Sequence, residues 1–547
     1  MPLVIPQILQ ALKPLGFSRQ EPHGTSDYLA MTGALETRFG SVSCEVFIDR
    51  KLRSFPRVVL KTPLPARLLP IAPHIGADGI LCYVAEDTVV FDMYKPISQT
   101  IASLKRASTV LDQIMAGERV NDLEEEFFAF WRGDYCYTDL ANLNSEDVVL
   151  LSLGSRQGFV VTDDVTRTGA KFSHRSGQVR SYLNLASKIV TKVRPRPAIG
   201  SWPPTTVSEL LNWQSKLDYP CRQKILERVV KAYRAGQDEI LILIHAPSQQ
   251  YGFFVRDLQK YKRASKLDQR VPIFDATIEI IQVVRMDDRY IAERNIPGYK
   301  TFAGKKVALV GCGTIGGYLA DLLVRAGAGT GAGELWLIDN QKLTPGNIGR
   351  HRLGINRIER NKAEGLQAEL GATMPSANVR ALPQDAFTVG FAEFDLIIDA
   401  TGEQCFGNWL AGQQTAGFRL KNGEPIPLLH VWIEGAGEAV RTLFKRHQAD
   451  GCFRCLCDYE LEQKFLSVPG GVRPILAGGG CEGQYVVYPA SVSVQAAALA
   501  FDAALAWVNS TPWALLSTRV INQSHVGLNG DGDLAMPPRP GCPACSS

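Results

Sequence analysis

A glycine-rich segment in the C-terminal half has the spacing of a phosphate-binding loop. Gly311, Gly313 and Gly316 form the pattern Gly-x-Gly-x-x-Gly, between an apolar run at 306–310 and a helix-like segment at 318–326. Glycines at these positions let the backbone turn tightly and approach a phosphate at a helix N-terminus. On its own the motif indicates only a nucleotide, with NAD as the default ligand.

Polar residues downstream of the loop narrow that choice. Asp339 ends the next predicted strand, where an acid can bind a ribose hydroxyl. Asn347, Arg350 and Lys362 follow, and Asp399 ends a later strand. Two cations suit a triphosphate, and a separate carboxylate suits Mg²⁺, which bridges phosphate oxygens. Each residue alone is also compatible with a solvated helix face or a strand cap, but together they favour ATP and Mg²⁺ over NAD.

Four of the 12 cysteines form two Cys-x-x-Cys pairs, Cys452 with Cys455 and Cys542 with Cys545. Each pair offers two thiolates, and four thiolates complete a tetrahedral structural Zn²⁺ site. The alternative is an incidental pairing of thiols, and the neighbouring Cys457 is a spare thiol beside the first pair. A zinc ion here would fasten the last residues of the chain.

A further cysteine has a setting suited to nucleophilic chemistry. Cys481 lies in the glycine-rich segment 478–483, ahead of an apolar helix at 492–508. An accessible thiolate near an acyl-adenylate can attack it and form a thioester. The alternatives for Cys481 are a metal ligand or an inert thiol.

Alternating strands and helices must position these groups. Residues 286–547 carry predicted strands at 306–310, 334–338 and 394–398 with helices between them, a pattern typical of a doubly wound parallel sheet of the Rossmann type. The most apolar stretch, 485–508, is interrupted by polar residues and a proline, which favours a buried core helix over a membrane span.

The rest of the chain divides into two further predicted domains. Residues 1–132 have an α+β pattern, and residues 133–285 form an α/β linker domain without a catalytic constellation. In the first we expect strands at 42–48 and 57–60 and helices at 97–115 and 122–131; in the second, strands at 158–162 and 239–244. The predicted domains are therefore 1–132, 133–285 and 286–547.

Composition sets the broad class. The 547 residues are 45% hydrophobic and 21% charged, which is typical of a soluble globular protein and excludes a disordered or fibrous chain. A net charge of +4 excludes a polycation that coats nucleic acid, and no direct nucleic-acid binding is expected. Residues 151–300 contain 25 Lys and Arg against 14 Asp and Glu. This excess of positive charge indicates either a solvated basic surface or a surface that binds an acidic partner. The start of the chain lacks the basic region and cleavage site of a signal peptide, so we expect a cytoplasmic protein.

Segment 289–547 resembles the ThiF/MoeB-type adenylyltransferases, the family that includes the activating enzymes of ubiquitin-like proteins. The resemblance rests on the glycine loop, Asp339, the Asn-Ile-Gly-Arg run at 347–350, Lys362, and Asp399 in Asp-Leu-Ile-Ile-Asp-Ala-Thr. It implies that Asp339 holds the ribose, that Arg350 and Lys362 contact the phosphates, and that Asp399 binds magnesium.

The same resemblance has three further implications. The two Cys-x-x-Cys pairs match the family's zinc site, and Cys481 matches its thioester cysteine. The family also forms homodimers in which an arginine reaches across to the partner's ATP, and here that arginine is Arg289 or Arg294. One position departs from the pattern, because Gln341 stands where the family often has an acid.

The segment from Pro73 to Cys82 resembles the active-site stretch of ubiquitin-conjugating enzymes. In that family a His-Pro-Asn segment precedes Asp-Gly-x-x-Cys, and the resemblance implies that Cys82 accepts an acyl group by thioester exchange. The asparagine is absent here, and His74 is displaced from the usual spacing. His74 either substitutes as a polar group or is structural, and the alternative for Cys82 is a buried structural thiol.

The combination resembles the bacterial activating and conjugating fusions of CBASS antiphage defence. It implies ATP-dependent adenylation of the exposed C-terminus of a small protein, either ubiquitin-like or a cGAS-like nucleotidyltransferase. Thioester transfer through Cys481 and Cys82 and conjugation to a target amine would follow. The alternatives are a sulfur-carrier-protein adenylyltransferase of thiamine or molybdopterin biosynthesis, which gives Cys82 no task, and a non-catalytic nucleotide-binding scaffold. An NAD oxidoreductase leaves the cysteine pairs unexplained.

Overall fold

The chain forms two compact units in a computed structural model. The first comprises residues 1–138, 142–163 and 180–284, and the second comprises residues 139–141, 164–179 and 285–547. The division into domains at 132/133 and 285/286 stays a prediction. The structure describes residues 4–20, 27–69, 71–76, 78–84, 89–144, 146–154, 158–173, 180–182, 185–197, 202–247, 249–260, 272–417, 423–467, 476–477, 485–521 and 532–545.

The first unit starts with a five-stranded antiparallel sheet in the order β1-β2-β3-β4-β5. Alternate residues of the predicted strand at 42–48 are buried, as the two-residue period of a half-buried strand requires. The elements are α1 (Val4–Leu12), β1 (Ser18–Arg19), β2 (Tyr28–Thr37), β3 (Gly40–Asp49), β4 (Arg57–Leu60), β5 (Ile80–Leu81), α2 (Pro96–Met115) and α3 (Phe127–Phe130).

One predicted helix of this region is wrong in extent. Residues 122–131 are split into a 3₁₀ turn at Val120–Leu123 and the single turn of α3. A continuous helix would stack the like charges of Asp122 and Glu126 at i and i+4, which is unfavourable. Both carboxylates instead bind His74.

An eight-stranded sheet completes the first unit, in the order β10-β11-β12-β13-β6-β8-β7-β9. Its core includes a cluster of stacked and edge-on rings around Phe127 and Trp131. The predicted strands at 158–162 and 239–244 correspond to β8 and β11. The elements are β6 (Asp134–Asp139), β7 (Val149–Ser152), β8 (Phe159–Thr162), α4 (Val165–Lys171, in the second unit), β9 (Arg180–Tyr182), β10 (Ala186–Val190), α5 (Val207–Leu217), α6 (Tyr219–Arg234), β11 (Ile240–Ala246), β12 (Gln249–Arg256) and β13 (Thr277–Arg285).

The second unit contains an eight-stranded sheet in the order β16-β15-β14-β17-β18-β19-β22-β23. It is parallel from β16 to β18 and antiparallel from β18 to β23. The parallel part with its helices confirms the predicted Rossmann-like fold. The elements are α7 (Asp288–Glu293), β14 (Lys306–Val310), α8 (Thr314–Arg325), β15 (Glu334–Ile338), α9 (Lys362–Thr373), β16 (Val379–Leu382), β17 (Leu396–Asp399), α10 (Gln404–Ala416), β18 (Leu428–Glu434), β19 (Ala439–Lys445), α11 (Phe453–Leu461), β20 (Leu476–Ala477), β21 (Tyr485–Val486), α12 (Ala490–Asn509), β22 (Leu516–Val520) and β23 (Gly532–Leu534).

Helix α12 is the one described helix that is long and apolar enough to cross a membrane, with a mean hydropathy of 1.5. It packs beside α8 on β18 and β19, and Val492, Ala496 and Ala500 lie in the same core as the parallel strands. More than half of its most apolar stretch, 56%, is buried. Helix α12 therefore has the position of a core helix.

Candidate active site

The glycine loop connects β14 to α8 at the carboxyl edge of the parallel strands. Gly311 has φ +86°, and a Cβ there would lie 2.8 Å from the carbonyl carbon of Ala400. A Cβ on Gly316 would lie 1.8 Å from the carbonyl oxygen of Gly311. Only glycine therefore fits at either position, which explains the spacing of the motif.

A cavity of about 440 Å³ opens at this edge. Strand β14 pairs with β15 and β17 in parallel, so the residues that follow each strand meet here. Six of the residues assigned to nucleotide binding from the sequence line the cavity, whereas Gly316 packs beneath the loop; the six are Gly311, Gly313, Asp339, Asn347, Arg350 and Lys362.

The carboxylate of Asp339 is tied to the loop. Its Oδ2 accepts the backbone N–H of Cys312 at 2.8 Å, and its Oδ1 accepts the N–H of Gln341 at 2.7 Å. These bonds hold the carboxylate in the cavity wall, and the unused lone pairs of both oxygens remain available to hydroxyl donors.

The two cations of the cavity have different partners. Lys362 is buried in the first turn of α9, and its Nζ donates to Oε1 of Gln341 at 2.7 Å. The residue that departs from the family pattern is thus the partner of this lysine, and as a neutral amide it does not itself compensate the positive charge. Arg350 donates from Nη1 to the carbonyl of Val486 at 2.7 Å, and its guanidinium lies 4.3 Å from the ring centre of Tyr488.

Asp399 lies at the end of β17 and is only 4% exposed. Its Oδ1 accepts the backbone N–H and the hydroxyl of Thr401, at 3.0 and 2.7 Å, and its Oδ2 lies 2.8 Å from Nδ1 of His430. Asp399 and His430 line a second cavity of about 390 Å³, and Glu403 lines both cavities. Asp399 itself lines this second cavity and not the nucleotide cavity, which is lined by the next two residues, Ala400 and Thr401. Its hard oxygen ligands with free lone pairs suit Mg²⁺.

Sequence reasoning missed two buried histidines of this region. His351 accepts the N–H of Leu353 at Nδ1, so its Nε2 carries the proton and donates to the carbonyl of Cys312 at 2.9 Å. Burial lowers the pKa of His351, which keeps the ring neutral beside the loop. Position 351 directly follows Arg350 in the recognised run, and that adjacency was the available signal. His430 lies inside an apolar strand and gave none.

Four thiols lie together where α11 meets the C-terminal segment. Sγ of Cys452 is 3.7 Å from those of Cys455 and Cys542, Cys455 and Cys545 are 3.3 Å apart, and all four lie within 4.8 Å of one another. Tetrahedral zinc with bonds of about 2.3 Å requires sulfur separations of about 3.8 Å, so the cluster fits Zn²⁺. Cys457 lies outside it and contacts Asn408.

The surroundings of Cys455 favour its thiolate form. A hydrogen bond from Cys452 lowers the pKa of Cys455, and the backbone N–H of Arg539, 3.3 Å from its Sγ, contributes in the same direction. A thiolate is the form in which cysteine binds a metal.

Cys82, in the first unit, is exposed just after β5. Its backbone N–H donates to the carbonyl of His74 at 2.7 Å, so the position of His74 fixes that of Cys82. His74 adopts a left-handed φ of +61°, and its ring is bound on both sides, at 2.9 Å from Asp122 and 2.5 Å from Glu126. With both ring nitrogens occupied, His74 has the contacts of a structural residue that holds the loop, the second of its two interpretations.

Cys481 lies outside the described residues. The neighbouring β20 and β21 form a two-stranded antiparallel pair, and α12 follows.

Comparison with known proteins supports both halves of this arrangement. The ThiF family model matches residues 288–466, and the model of prokaryotic E2 family B matches residues 30–135. The ATP-dependent ubiquitin transferase-like protein Cap2 of Pseudomonas aeruginosa (strain BWHPSA011 / Pa011) is 44% identical over 92% of each chain. The chain belongs to the Cap2 family. Cap2 of Escherichia coli (strain TW11681) is 26% identical, over 87% of this chain and 86% of that one.

Membership of the Cap2 family confirms the predicted fusion of an activating domain with an E2-like domain, and with it the prediction of an enzyme. The E2 match contains Cys82, for which the sulfur-carrier alternative has no task. Cap2 resemblance along both units also disfavours a non-catalytic scaffold. Use of ATP is supported by the ThiF match, which contains Asp399 and the six cavity-lining residues assigned to nucleotide binding.

Proposed function

We propose that the chain activates the C-terminal carboxylate of a small protein with ATP and conjugates it to an amine of a target. The observation that carries this proposal is the convergence, in one cavity, of the glycine loop, the Asp339 carboxylate and two cations, with Asp399 in a second cavity that shares Glu403 with the first. An exposed cysteine in an E2-family segment of the same chain supplies the second stage.

In the first step a carboxylate oxygen of the carrier protein attacks the α-phosphorus of ATP, and pyrophosphate leaves. The backbone amides of the loop and the cations Arg350 and Lys362 would bind the phosphates, and Asp339 would bind the ribose. Magnesium, when bound, would neutralise the developing charge on the phosphates, and Asp399 is the residue placed to hold it.

In the later steps the acyl group moves between thiols. The thiolate of Cys481 attacks the acyl carbon and releases AMP, and the thiolate of Cys82 then displaces Cys481. The attack of a target amine, for which lysine is the natural donor, expels Cys82 and forms an amide. Each thioester preserves the reactivity that ATP cleavage supplied.

The substrates follow from the same proposal. The activated partner is a small protein with an exposed C-terminus, either ubiquitin-like or a cGAS-like nucleotidyltransferase, and the setting is antiphage defence in the bacterial cytoplasm. The zinc ion has a structural role, because its four thiol ligands leave no open position.

The decisive experiment replaces each nucleophile in turn. Cys481→Ala should form acyl-adenylate and no thioester, and Cys82→Ala should accumulate a reducible thioester and make no stable conjugate. Exposed Cys405, in no motif, provides the control, and Cys405→Ala should behave as wild type. Reductant-sensitive gel shifts with ATP and the carrier protein report each state. Normal conjugation by Cys82→Ala would reduce the first unit to a docking module and restore the sulfur-carrier alternative.

A further inference from the structure

His430 is the least expected polar residue near the nucleotide cavity. It lies in β18 within the run Leu428-Leu-His-Val-Trp-Ile, it is 1% exposed, and it pairs in parallel register with Asp399 of β17. Burying a histidine this deeply destabilises the fold unless its ring nitrogens form hydrogen bonds.

The contacts of the imidazole ring show which of its nitrogens carries the proton. An ionised carboxylate only accepts hydrogen bonds, so Nδ1 of His430 must donate across the 2.8 Å to Oδ2 of Asp399. The ring of Phe453 covers the imidazole, with ring centres 4.7 Å apart and planes inclined by 30°. Within the described part of the chain Nε2 has no hydrogen-bond partner. The bond to Asp399 is therefore what holds the ring in this orientation.

Asp399 is consequently fixed from both sides. Thr401 binds one oxygen with two hydrogen bonds, and His430 binds the other. A carboxylate held in this way cannot rotate about its terminal bond, so its remaining lone pairs keep one direction before any ligand arrives. Such partners behind a metal ligand commonly determine affinity as strongly as the ligand itself.

We infer that His430 is a positioning residue for Asp399, which preforms the divalent-cation site of the adenylation reaction through its Nδ1–H. The inference rests on the proposed role of Asp399 in binding magnesium. The residue acts through the carboxylate and makes no contact with the reacting atoms. Phe453 supports it, and since Phe453 directly follows Cys452, the four-thiol cluster anchors the element that covers the ring.

Two isosteric substitutions separate this role from simple core packing. In His430→Asn the side-chain amide can place an N–H where Nδ1–H lies, whereas in His430→Gln the amide reaches the position of Nε2. Both variants remove the ring and its contact with Phe453. A residue that only fills space would be affected similarly by the two changes.

The probe is Mn²⁺, whose binding to the full-length protein with α,β-methylene ATP is followed by electron paramagnetic resonance. We expect His430→Gln to weaken Mn²⁺ binding about tenfold or more, and His430→Asn to stay within about threefold of wild type. His430→Ala serves as a second variant without the donor, and thermal melts verify that each protein is folded.

Equal loss in the Asn and Gln variants, or wild-type affinity in both His430→Gln and His430→Ala, would overturn the inference. Asp399→Asn distinguishes this failure from that of the proposed function. If Asp399→Asn no longer binds Mn²⁺ while His430→Gln binds it with wild-type affinity, the metal site is supported and only the positioning role of His430 is rejected. If Asp399→Asn binds Mn²⁺ as the wild type does, the metal site itself is wrong, and the inference falls with it.

Discussion

Asp339 and Lys362 lie in one cavity but are suited to different parts of a nucleotide. Asp339 is held by two backbone N–H groups, and an acceptor held in this way suits a ribose hydroxyl. Lys362 is bound to a neutral amide, Gln341, and forms no ion pair with a carboxylate of the described residues. A buried ammonium without an ion pair favours a polyanion over a neutral group.

Substitution of each residue should therefore affect ATP and AMP differently. Asp339→Asn should weaken binding of both nucleotides to a similar extent, about tenfold or more, because both contain the ribose. Lys362→Met should weaken ATP much more than AMP, because only ATP has the β- and γ-phosphates. Isothermal titration calorimetry gives both affinities for each variant. An equal loss of ATP and AMP affinity in Lys362→Met would contradict the assignment to the phosphates.

What the sequence reveals at this scale depends on the kind of residue. The glycines were recognisable because the loop has no room for a Cβ at Gly311 and Gly316. This requirement places glycines at a fixed spacing that can be read in the sequence. His430 was not recognisable, because its partner Asp399 is 31 positions away and the pairing exists only once β17 and β18 lie side by side. The roles of His74 were open for the same reason, since its carboxylates come from residues 122 and 126.

Among the elements, the segment before α11 and the end of the chain depend on each other. Gly451 donates its N–H to the carbonyl of Met536 at 3.1 Å, and the N–H of Arg539 donates to Sγ of Cys455. Apart from β23, the last described segment has little regular structure of its own. Without an ion the four thiols would repel once deprotonated, so we expect a metal ion to stabilise this junction.

We expect one zinc ion per chain by elemental analysis. A Cys452→Ser/Cys455→Ser double variant should lose it and melt at least about 5 °C lower, because ligand binding and folding are coupled at a structural site. Cys457→Ser is the matched control, since it changes a thiol of the same helix outside the cluster. A metal-free wild type with unchanged stability would refute the zinc assignment.

The strands were the more predictable elements, because their apolar runs are short and bounded. The run at 306–310 and the run at 334–338 match β14 and β15 to the residue. The acidic segment at 122–131 was mistaken for one helix, because its apolar spacing does not reveal that its carboxylates are needed elsewhere. The antiparallel strands β19, β22 and β23 carry no signal of the order in which they extend the sheet.

At the scale of the whole molecule, two exposed arginines of the second unit are relevant to the predicted homodimer. Arg289 in α7 is 65% exposed and pairs with Glu293 at 2.9 Å, and Arg294 follows the helix on the surface. Both side chains are exposed, as an arginine that reaches a partner copy has to be, and the homodimer implied by the resemblance stays a prediction. The symmetry of such a dimer makes each chain donor and acceptor at once.

Two inactive variants should therefore complement each other. Arg289→Ala/Arg294→Ala lacks the arginine for its partner, and Asp399→Asn lacks its own metal ligand. Mixed dimers contain one complete site, so an equal mixture should recover about a quarter of wild-type pyrophosphate exchange after subunit exchange. Single arginine variants then identify the residue. A mixture that remains inactive while light scattering reports dimers would exclude an arginine acting in trans, and a monomer during turnover would exclude the dimer.

The presence of both units in one chain also affects how activity responds to dilution. Cys82 belongs to the first unit, and Cys481 belongs to the sequence range of the second. Under the proposed function the acyl group passes between tethered thiols, so the exchange is governed by an effective local concentration and not by the affinity of two separate proteins. The rate of this exchange within an assembled enzyme is then independent of dilution, whereas separate activating and conjugating enzymes would exchange more slowly when both are scarce. A cell can thus keep this protein at low abundance without losing the second step.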